Sequence, residues 1–200
     1  MSGRSIFRNL YVWGFLIGIA TLTLIRPLLR HVPEPPPVLS ELPAFSLVGI
    51  DGKAFGSEDL RGQVYVAGFF FTSCRSICPA IMKGMSRLQD GFSQRGLSGI
   101  RLVSISVDPE RDTPEVLAGY ARSMGVDPER WTLLTGDPQR VRALVVDGFK
   151  TPLGAPPPAN PEPIDIAHTG KLVLVDGSGR IRGYYESDEI GLDEDRKSVV

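Results

Sequence analysis

The sequence predicts an α/β domain built on a mixed sheet, preceded by an N-terminal transmembrane helix. Apolar, strand-like runs alternate with helical segments between residues 64 and 149, and the chain then continues into a hairpin. The membrane helix is predicted because residues 10–25 carry no charge. Two hundred residues leave room for one domain of ordinary size plus such an appendage.

The N-terminal segment is long enough to suggest a membrane anchor. At 1.5 Å per residue the uncharged run alone falls a little short of the ~30 Å hydrocarbon core, but apolar neighbours and snorkelling arginines extend it. We therefore expect an uncleaved single-pass anchor over residues 1–31. The alternative is a cleaved signal peptide, because Gly18 and Ala20 form a small-x-small pattern.

A proline-rich segment separates the anchor from the domain. Residues 31–37 read His-Val-Pro-Glu-Pro-Pro-Pro, which is incompatible with regular helix or sheet. We expect an extended, semi-rigid linker over residues 32–41 and a globular domain over residues 42–200. The stretch 190–200 is charged and ends where a helix begins to form, which is compatible with a natural C-terminus further on.

The composition supports a hydrophobic core and argues against nucleic acid as a partner. Hydrophobic residues make up 42% of the chain, enough to bury a core, whereas the formal net charge of −1 gives no basic footprint for nucleic acid. We therefore expect no nucleic-acid partner.

Each element of the domain has its own local signal. Residues 64–71 are almost uninterruptedly apolar, as expected for a central strand covered on both faces. Turn residues at 49–53 and 176–179 predict two hairpins. Pro79 and Pro114 fit the first turns of helices. Strands are predicted at 44–48, 54–55, 64–71, 100–107, 131–134, 171–175 and 180–185, and helices at 79–92, 112–124 and 138–149.

Cys74 and Cys78 are the only cysteines of the chain, and both follow the central strand directly. If the turn enters a helix, this spacing stacks the sulfurs on one face, with roughly 5–6 Å between Cβ atoms. Such a pair suits a shared metal ion or a disulfide. A helix start and the charge of Arg75 favour the thiolate. The alternative is a structural disulfide or two buried thiols, although so short a loop removes little unfolded-state entropy when closed.

His168 is the candidate third ligand. It lies in a loop after the proline-rich stretch 151–163 and directly before the strand at 171–175. A lone loop histidine is more typical of a solvent-facing or capping residue. Together with two thiolates it suits Cu(I), whereas a structural zinc site would take a fourth protein ligand. The other histidine, His31, is interpreted as an interfacial residue beside the membrane.

Four stretches, in this order and spacing, resemble the Sco/SenC family. They are Phe-Thr-Ser-Cys-Arg-Ser-Ile-Cys-Pro at 71–79, Ser-Ile-Ser-Val-Asp-Pro-Glu-Arg-Asp-Thr-Pro at 104–114, Trp-Thr-Leu-Leu-Thr-Gly at 131–136, and His168 before Leu-Val-Leu-Val-Asp-Gly. The resemblance covers most of residues 42–186. It implies a thioredoxin-like fold and a membrane-anchored copper protein that helps assemble the copper-A centre of cytochrome c oxidase.

The resemblance also implies roles for individual residues. Cys74 and Cys78 are expected to be thiolate copper ligands and His168 the imidazole ligand, for a copper ion held as Cu(I) or as Cu(II). The cysteine pair is further expected to cycle between dithiol and disulfide. Asp108, Arg111 and Asp112 match the family's signature, and we interpret them as turn-forming and helix-capping residues rather than catalytic ones.

Two functions remain open from the sequence. The first is a metallochaperone that delivers or prepares copper for the copper-A subunit or another copper protein, which takes the metal by ligand exchange. The second is an extracytoplasmic thiol–disulfide oxidoreductase in which Cys74 and Cys78 are the catalytic pair and His168 is dispensable. Three residues separate Cys74 from Cys78, whereas the two cysteines of a general reductase are more often separated by two residues. The spacing therefore argues mildly against a general reductase.

A peroxidase is the least favoured alternative, because Thr72 precedes Cys74 by two positions instead of three. In either main case we expect the domain on the extracytoplasmic side of a membrane. That means the periplasmic side in a bacterium or the intermembrane space in a mitochondrion.

Overall fold

A computed structural model of the chain describes residues 10–28, 34–153 and 170–187. The chain divides into two compact units, Met1–Pro35 and Pro36–Val200.

The described part of the first unit forms helix α1 (Leu10–Leu28), at the position of the uncharged run. Across the described parts of the chain, however, no helix is both long and apolar enough to cross a membrane. The helix predicted within residues 1–31 is therefore present, but its transmembrane character is not confirmed.

The second unit is built on a mixed sheet, as the sequence predicts. The described strands are β1 (Ser40–Glu41), β2 (Ser46–Gly49), β3 (Ala54–Gly56), β4 (Val64–Phe70), β5 (Ile100–Ser106), β6 (Trp131–Thr135), β7 (Lys171–Val175) and β8 (Arg180–Glu186). They lie in the order β1-β8-β7-β4-β5-β6-β2-β3. Strands β4, β5 and β6 run parallel, and the other pairings are antiparallel. Both predicted hairpins, β2–β3 and β7–β8, are confirmed.

The helices follow the parallel strands. They are α2 (Cys78–Gln94), α3 (Pro114–Ser123) and α4 (Pro138–Ala143). Thr113 caps α3 through its side chain and Asp137 caps α4 in the same way. The third predicted helix changes character before its end, because residues Leu144–Gly148 form a π-helical turn. The N–H of Phe149 accordingly bonds to the carbonyl of Leu144 at 2.8 Å.

Strand β4 is covered on both faces, which explains its apolar sequence. Tyr65, Ala67 and Phe69 point into one core, where Phe69 and Phe149 meet edge to face at 5.1 Å. Val66 and Phe70 point into the second core, which contains the apolar faces of α2 and α3. Because β4 has neighbours on both sides, the loop that follows it starts from the middle of the sheet.

The residues just before position 42 also pair with the sheet. Strand β1 pairs with β8, the N–H of Leu39 donates to Ile181 at 2.9 Å, and the guanidinium of Arg182 donates to the carbonyl of Pro36 at 2.7 Å. The predicted linker 32–41 thus ends in ordered contacts. The predicted proline-rich loop beyond Leu153, His168 and the charged stretch 190–200 lie outside the described residues.

Candidate metal centre

Cys74 lies in the loop between β4 and α2, and Cys78 is the first residue of α2. The helical stacking of the two sulfurs depended on both cysteines lying in one helix, and this condition is not met, because the helix begins only at Cys78. A turn forms instead, in which the N–H of Cys74 donates to the carbonyl of Phe71 at 3.2 Å. The turn brings the sulfur of Cys74 to the start of α2, where the N–H of Cys78 donates to it at 3.4 Å.

The surroundings of Cys74 favour ionisation of its thiol. Partial burial works to raise the pKa of this thiol, but hydrogen bonds from the thiol and N–H of Cys78, together with those of Ser76, outweigh it. The pKa of Cys74 is therefore lowered, as the helix start predicts. Cys74 is also partly exposed, so the thiolate can be reached from solvent.

Cys78 has the opposite properties. It is 4% exposed and packs in the core that contains Phe70 and Phe71. Burial is the main cause that raises the pKa of Cys78 to about 12, helped by its hydrogen bond to Cys74 and by the charges of Cys74 and Asp112. Both cysteines are free. The pair therefore combines an accessible thiol that ionises more readily than an ordinary cysteine with a buried thiol whose ionisation is disfavoured.

The cysteine loop is held by a residue whose role the sequence analysis missed. Asp112 is 1% exposed and accepts from the N–H of Thr72 at 3.0 Å, from the hydroxyl of Thr72, and from the hydroxyl of Ser106 at 2.6 Å. Our interpretation of Asp112 as a helix cap is wrong, because the neighbouring Thr113 caps α3. The contact between Thr72 and Asp112 could have been predicted from their positions in the sequence. Both residues follow adjacent parallel strands, whose carboxyl ends meet at one edge of the sheet.

Asp108 and Arg111 form the turn that positions Asp112. The carbonyl of Asp108 accepts the N–H of Asp112 at 2.9 Å, and the side chain of Asp108 pairs with Arg111 at 3.1 Å. The N–H of Asp108 donates to the hydroxyl of Ser106 at 3.2 Å. The prediction of turn-forming roles for Asp108 and Arg111 is confirmed.

One aromatic residue completes the described surroundings of the thiols. The ring of Tyr120 on α3 stacks on Phe70, with ring centroids 5.5 Å apart. Burial raises the pKa of Tyr120, and so do the charges of Cys78, Cys74 and Asp112. The phenol therefore stays protonated beside the cysteine pair.

His168 lies outside the described residues, but Gly170 does not. A Cβ on Gly170 would lie 3.0 Å from the Cδ1 of Ile77, the residue before Cys78. The carbonyl of Gly170 also accepts the N–H of Ser187 at 2.8 Å. Gly170, which follows His168 by two residues in the sequence, therefore lies against the cysteine loop.

The described donors fit a soft metal ion but do not form a complete site. Among the described residues, no group of three or more histidine, cysteine, aspartate or glutamate side chains is arranged to hold a metal ion. The two free sulfurs of Cys74 and Cys78 are soft donors of the kind that Cu(I) prefers.

A family model described as SCO1/SenC matches residues 36–195 of the chain. The chain belongs to the SCO1/SenC family. Among its relatives, the "SCO1 protein homolog" of Bacillus subtilis is 30% identical over 154 residues, covering 76% of this chain and 77% of that protein. Most of this Sco-family chain therefore corresponds to most of that relative.

Solved structures of Sco proteins share the fold. A SCO1/SenC family lipoprotein from Bacillus anthracis aligns with a TM-score of 0.72 and 31% identity, over 82% of this chain and 95% of that one. BsSco, a member of the Sco family of cytochrome c oxidase assembly proteins with an identified disulfide switch, aligns with a TM-score of 0.69 and 29% identity. That match covers 82% of this chain and 93% of that one.

Members of the family bind copper. The copper-bound structure of Bradyrhizobium japonicum ScoI aligns with a TM-score of 0.56 and 25% identity, over 78% of this chain and 99% of that one. The Sco-type, thioredoxin-like α/β fold expected from the sequence is thus confirmed, and copper is the metal of this family.

Proposed function

We propose that this chain is a copper chaperone that binds Cu(I) through Cys74, Cys78 and His168. It would prepare or deliver the ion for the copper-A subunit of cytochrome c oxidase. The main support for the proposal is the pair of free thiols. Cys74 is partly exposed, and its pKa is lowered. A thiolate is the form of cysteine that binds a metal ion.

The contact between Gly170 and Ile77 supports the third ligand. It ties the start of β7 to the cysteine loop, and His168 precedes that contact by two residues. An imidazole delivered from a separate segment can leave without disturbing the two thiols. Such an incomplete, adjustable ligand set suits a protein that passes its ion to a partner with thiolates of its own.

Competitive Cu(I) titration of the reduced full-length chain tests the ligand set. We expect His168→Ala to weaken Cu(I) binding and to change the coordination seen by X-ray absorption, and Cys74→Ser to weaken it further. His31→Ala is the matched control, because it removes the other histidine of the chain. Unchanged affinity and coordination in His168→Ala would refute the three-ligand site.

The difference between the two thiols favours a second candidate function, thiol–disulfide exchange. The thiolate of Cys74 would attack a partner's disulfide and release one partner thiolate. Cys78 would then lose its proton and attack the mixed disulfide, which releases the second partner thiol and leaves a Cys74–Cys78 disulfide. This function takes precedence if the wild-type chain binds no copper but reduces a model disulfide, and if His168→Ala does so at the same rate.

We also propose that residues 1–31 attach the domain to the extracytoplasmic face of a membrane. The uncharged run at 10–25 and the proline-rich spacer after it support this proposal. Cell fractionation of the full chain and of a chain lacking residues 1–31 tests it. We expect the full chain in the membrane fraction and accessible to protease from outside the cytoplasm. A full chain that fractionates like the truncated one would contradict the proposal.

A further inference from the structure

A cavity of about 250 Å³ opens at the end of the sheet opposite the cysteines. It lies beside the start of β4, where Tyr65 is located, whereas Cys74 follows the end of the same strand. The six strand residues from Tyr65 to Phe70 alone span roughly 17 Å. The cavity is thus separate from the candidate metal centre.

The cavity has a mixed polar and apolar lining and a charged but balanced rim. Leu42, Ala44 and Leu60 provide apolar surface. At the rim, Glu58 and Arg61 form an exposed ion pair at 2.5 Å, so their charges cancel. The carboxylate of the adjacent Asp176 forms ion pairs with Arg180 at 3.0 Å and with Arg182 at 2.7 Å, so its charge is also balanced.

Tyr65 provides a buried polar group without a partner. The residue is 2% exposed, yet its hydroxyl makes no hydrogen bond with any residue that the structure describes. Among the described side chains, the hydroxyl of Thr135 is the one polar group that is both fully sealed from solvent and unpaired. The hydroxyl of Tyr65 therefore touches open space, and the open space that Tyr65 lines is this cavity.

The chemistry around Tyr65 selects for an acceptor. Burial and the charge of Asp176 raise the pKa of Tyr65, so the phenol keeps its proton and remains a donor. Ser57 places a second hydroxyl at the cavity, and its oxygen accepts the N–H of Phe45 at 2.9 Å.

We propose that this cavity binds a small molecule in which a carbonyl oxygen accepts from the Tyr65 hydroxyl and an apolar body contacts Leu42 and Leu60. The volume suits a single substituted ring, since an apolar cavity of about 150 Å³ is enough to hold benzene. The site goes beyond the proposed copper function and does not depend on it.

Titration of the ¹⁵N-labelled, full-length chain with benzamide tests the site by NMR. Benzamide is neutral and joins a carbonyl to a ring. We expect saturable shifts confined to amides around the cavity, among them those of Ser57, Leu60 and Ser178. Toluene, which has the ring without the carbonyl, should bind more weakly.

Two variants and one control complete the test. Tyr65→Phe keeps the ring in the core but removes the donor, and it should weaken benzamide binding by about twofold to tenfold. Ala44→Trp should fill the opening and abolish the shifts. Tyr184→Phe is the matched control, because it removes a hydroxyl that donates to Phe149 outside the cavity.

Either of two results would overturn the proposal. One is the absence of saturable shifts at the cavity. The other is equal binding of benzamide and toluene with no effect of Tyr65→Phe, which would mean that the cavity recognises apolar surface alone. Cu(I) affinity should be the same in Tyr65→Phe as in the wild type, since the two sites are separate.

Discussion

The buried carboxylate of Asp112 accepts hydrogen bonds from both the backbone N–H and the hydroxyl of Thr72. Thr72 precedes Cys74 by two residues, and the turn between them is closed by the bond from the N–H of Cys74 to Phe71. Ser106 at the end of β5 donates to the same carboxylate. One side chain therefore fixes the cysteine loop to the neighbouring strand.

We predict that Asp112→Asn destabilises the protein by roughly 2–3 kcal/mol, the usual range for hydrogen bonds to a charged group. The amide NH₂ that replaces one carboxylate oxygen would face a donor, because Thr72 and Ser106 both donate to Asp112. Chemical denaturation of the apo protein measures the change.

The matched control for Asp112→Asn is Asp137→Asn. Asp137 accepts two backbone N–H groups at the start of α4, but in an exposed position. Its replacement should cost about 1 kcal/mol or less. An Asp112→Asn protein no less stable than Asp137→Asn would contradict the structural role assigned to Asp112.

The two thiols should differ in reactivity. Since the pKa of Cys74 is lowered and that of Cys78 is raised to about 12, iodoacetamide at neutral pH should alkylate Cys74 faster by about tenfold or more. Mass spectrometry of singly modified protein distinguishes the sites. Cys74→Ser should leave a chain that reacts slowly, and Cys78→Ser one that still reacts readily. Equal rates at the two positions would disprove the assignment.

The order of elements could be predicted from the sequence because periodicity and turn chemistry are local. The unbroken apolar run at 64–71 and the turn residues at 176–179 both led to the observed β4 and β7–β8 hairpin. The π-helical turn at Leu144–Gly148 could not be predicted, since a five-residue segment is too short to show a distinct periodic pattern. Leu144 and Val145 are buried in the core that contains Phe69, among residues distant in sequence.

The two cysteines of the candidate site could be predicted from the sequence, but the residues that hold them in place could not. The helix start predicted that the thiolate form is favoured in the pair, which agrees with the lowered pKa of Cys74 but not with the raised pKa of Cys78. The role of Asp112 was hidden, because an Asp-Thr-Pro sequence is also a typical helix start. Only the parallel pairing of β4 with β5 brings Thr72 to Asp112, forty positions along the chain.

Asp176 should contribute stability that depends on pH. Partial burial alone would raise the pKa of Asp176, but bonds from Arg180, Arg182 and Ser178 lower it from 3.8 to about 2. A carboxyl with a lowered pKa in the folded state stabilises above its unfolded value and loses that effect as pH falls through the folded one. The stability difference between wild type and Asp176→Asn should therefore shrink as pH falls from about 4 towards 2.

Denaturation at a series of pH values measures this difference. Asp90→Asn serves as the control, because Asp90 is an exposed carboxylate on α2. Its replacement should change stability little at any pH in that range. A gap between wild type and Asp176→Asn that stays constant down to pH 2 would show that the bonds to Asp176 do not depend on its charge.

The close approach of α2 to the end of β8 should make Gly84 intolerant of a side chain. A Cβ at Gly84 would lie 2.9 Å from the carbonyl oxygen of Ser187, a backbone atom that cannot rotate away. The N–H of the same residue bonds to Gly170, so a shift there would also disturb the start of β7. We predict that Gly84→Ala lowers the free energy of unfolding by about 1–3 kcal/mol.

Gly91, on the same helix, provides the comparison for Gly84. Nothing lies within 4 Å of a Cβ built on Gly91, so Gly91→Ala should be neutral or stabilising by up to about 1 kcal/mol through helix propensity. Urea denaturation of both variants gives opposite signs if α2 and Ser187 are in contact. Stabilisation by both substitutions would contradict the close contact between Gly84 and Ser187. The end of β8 would then lie further from α2.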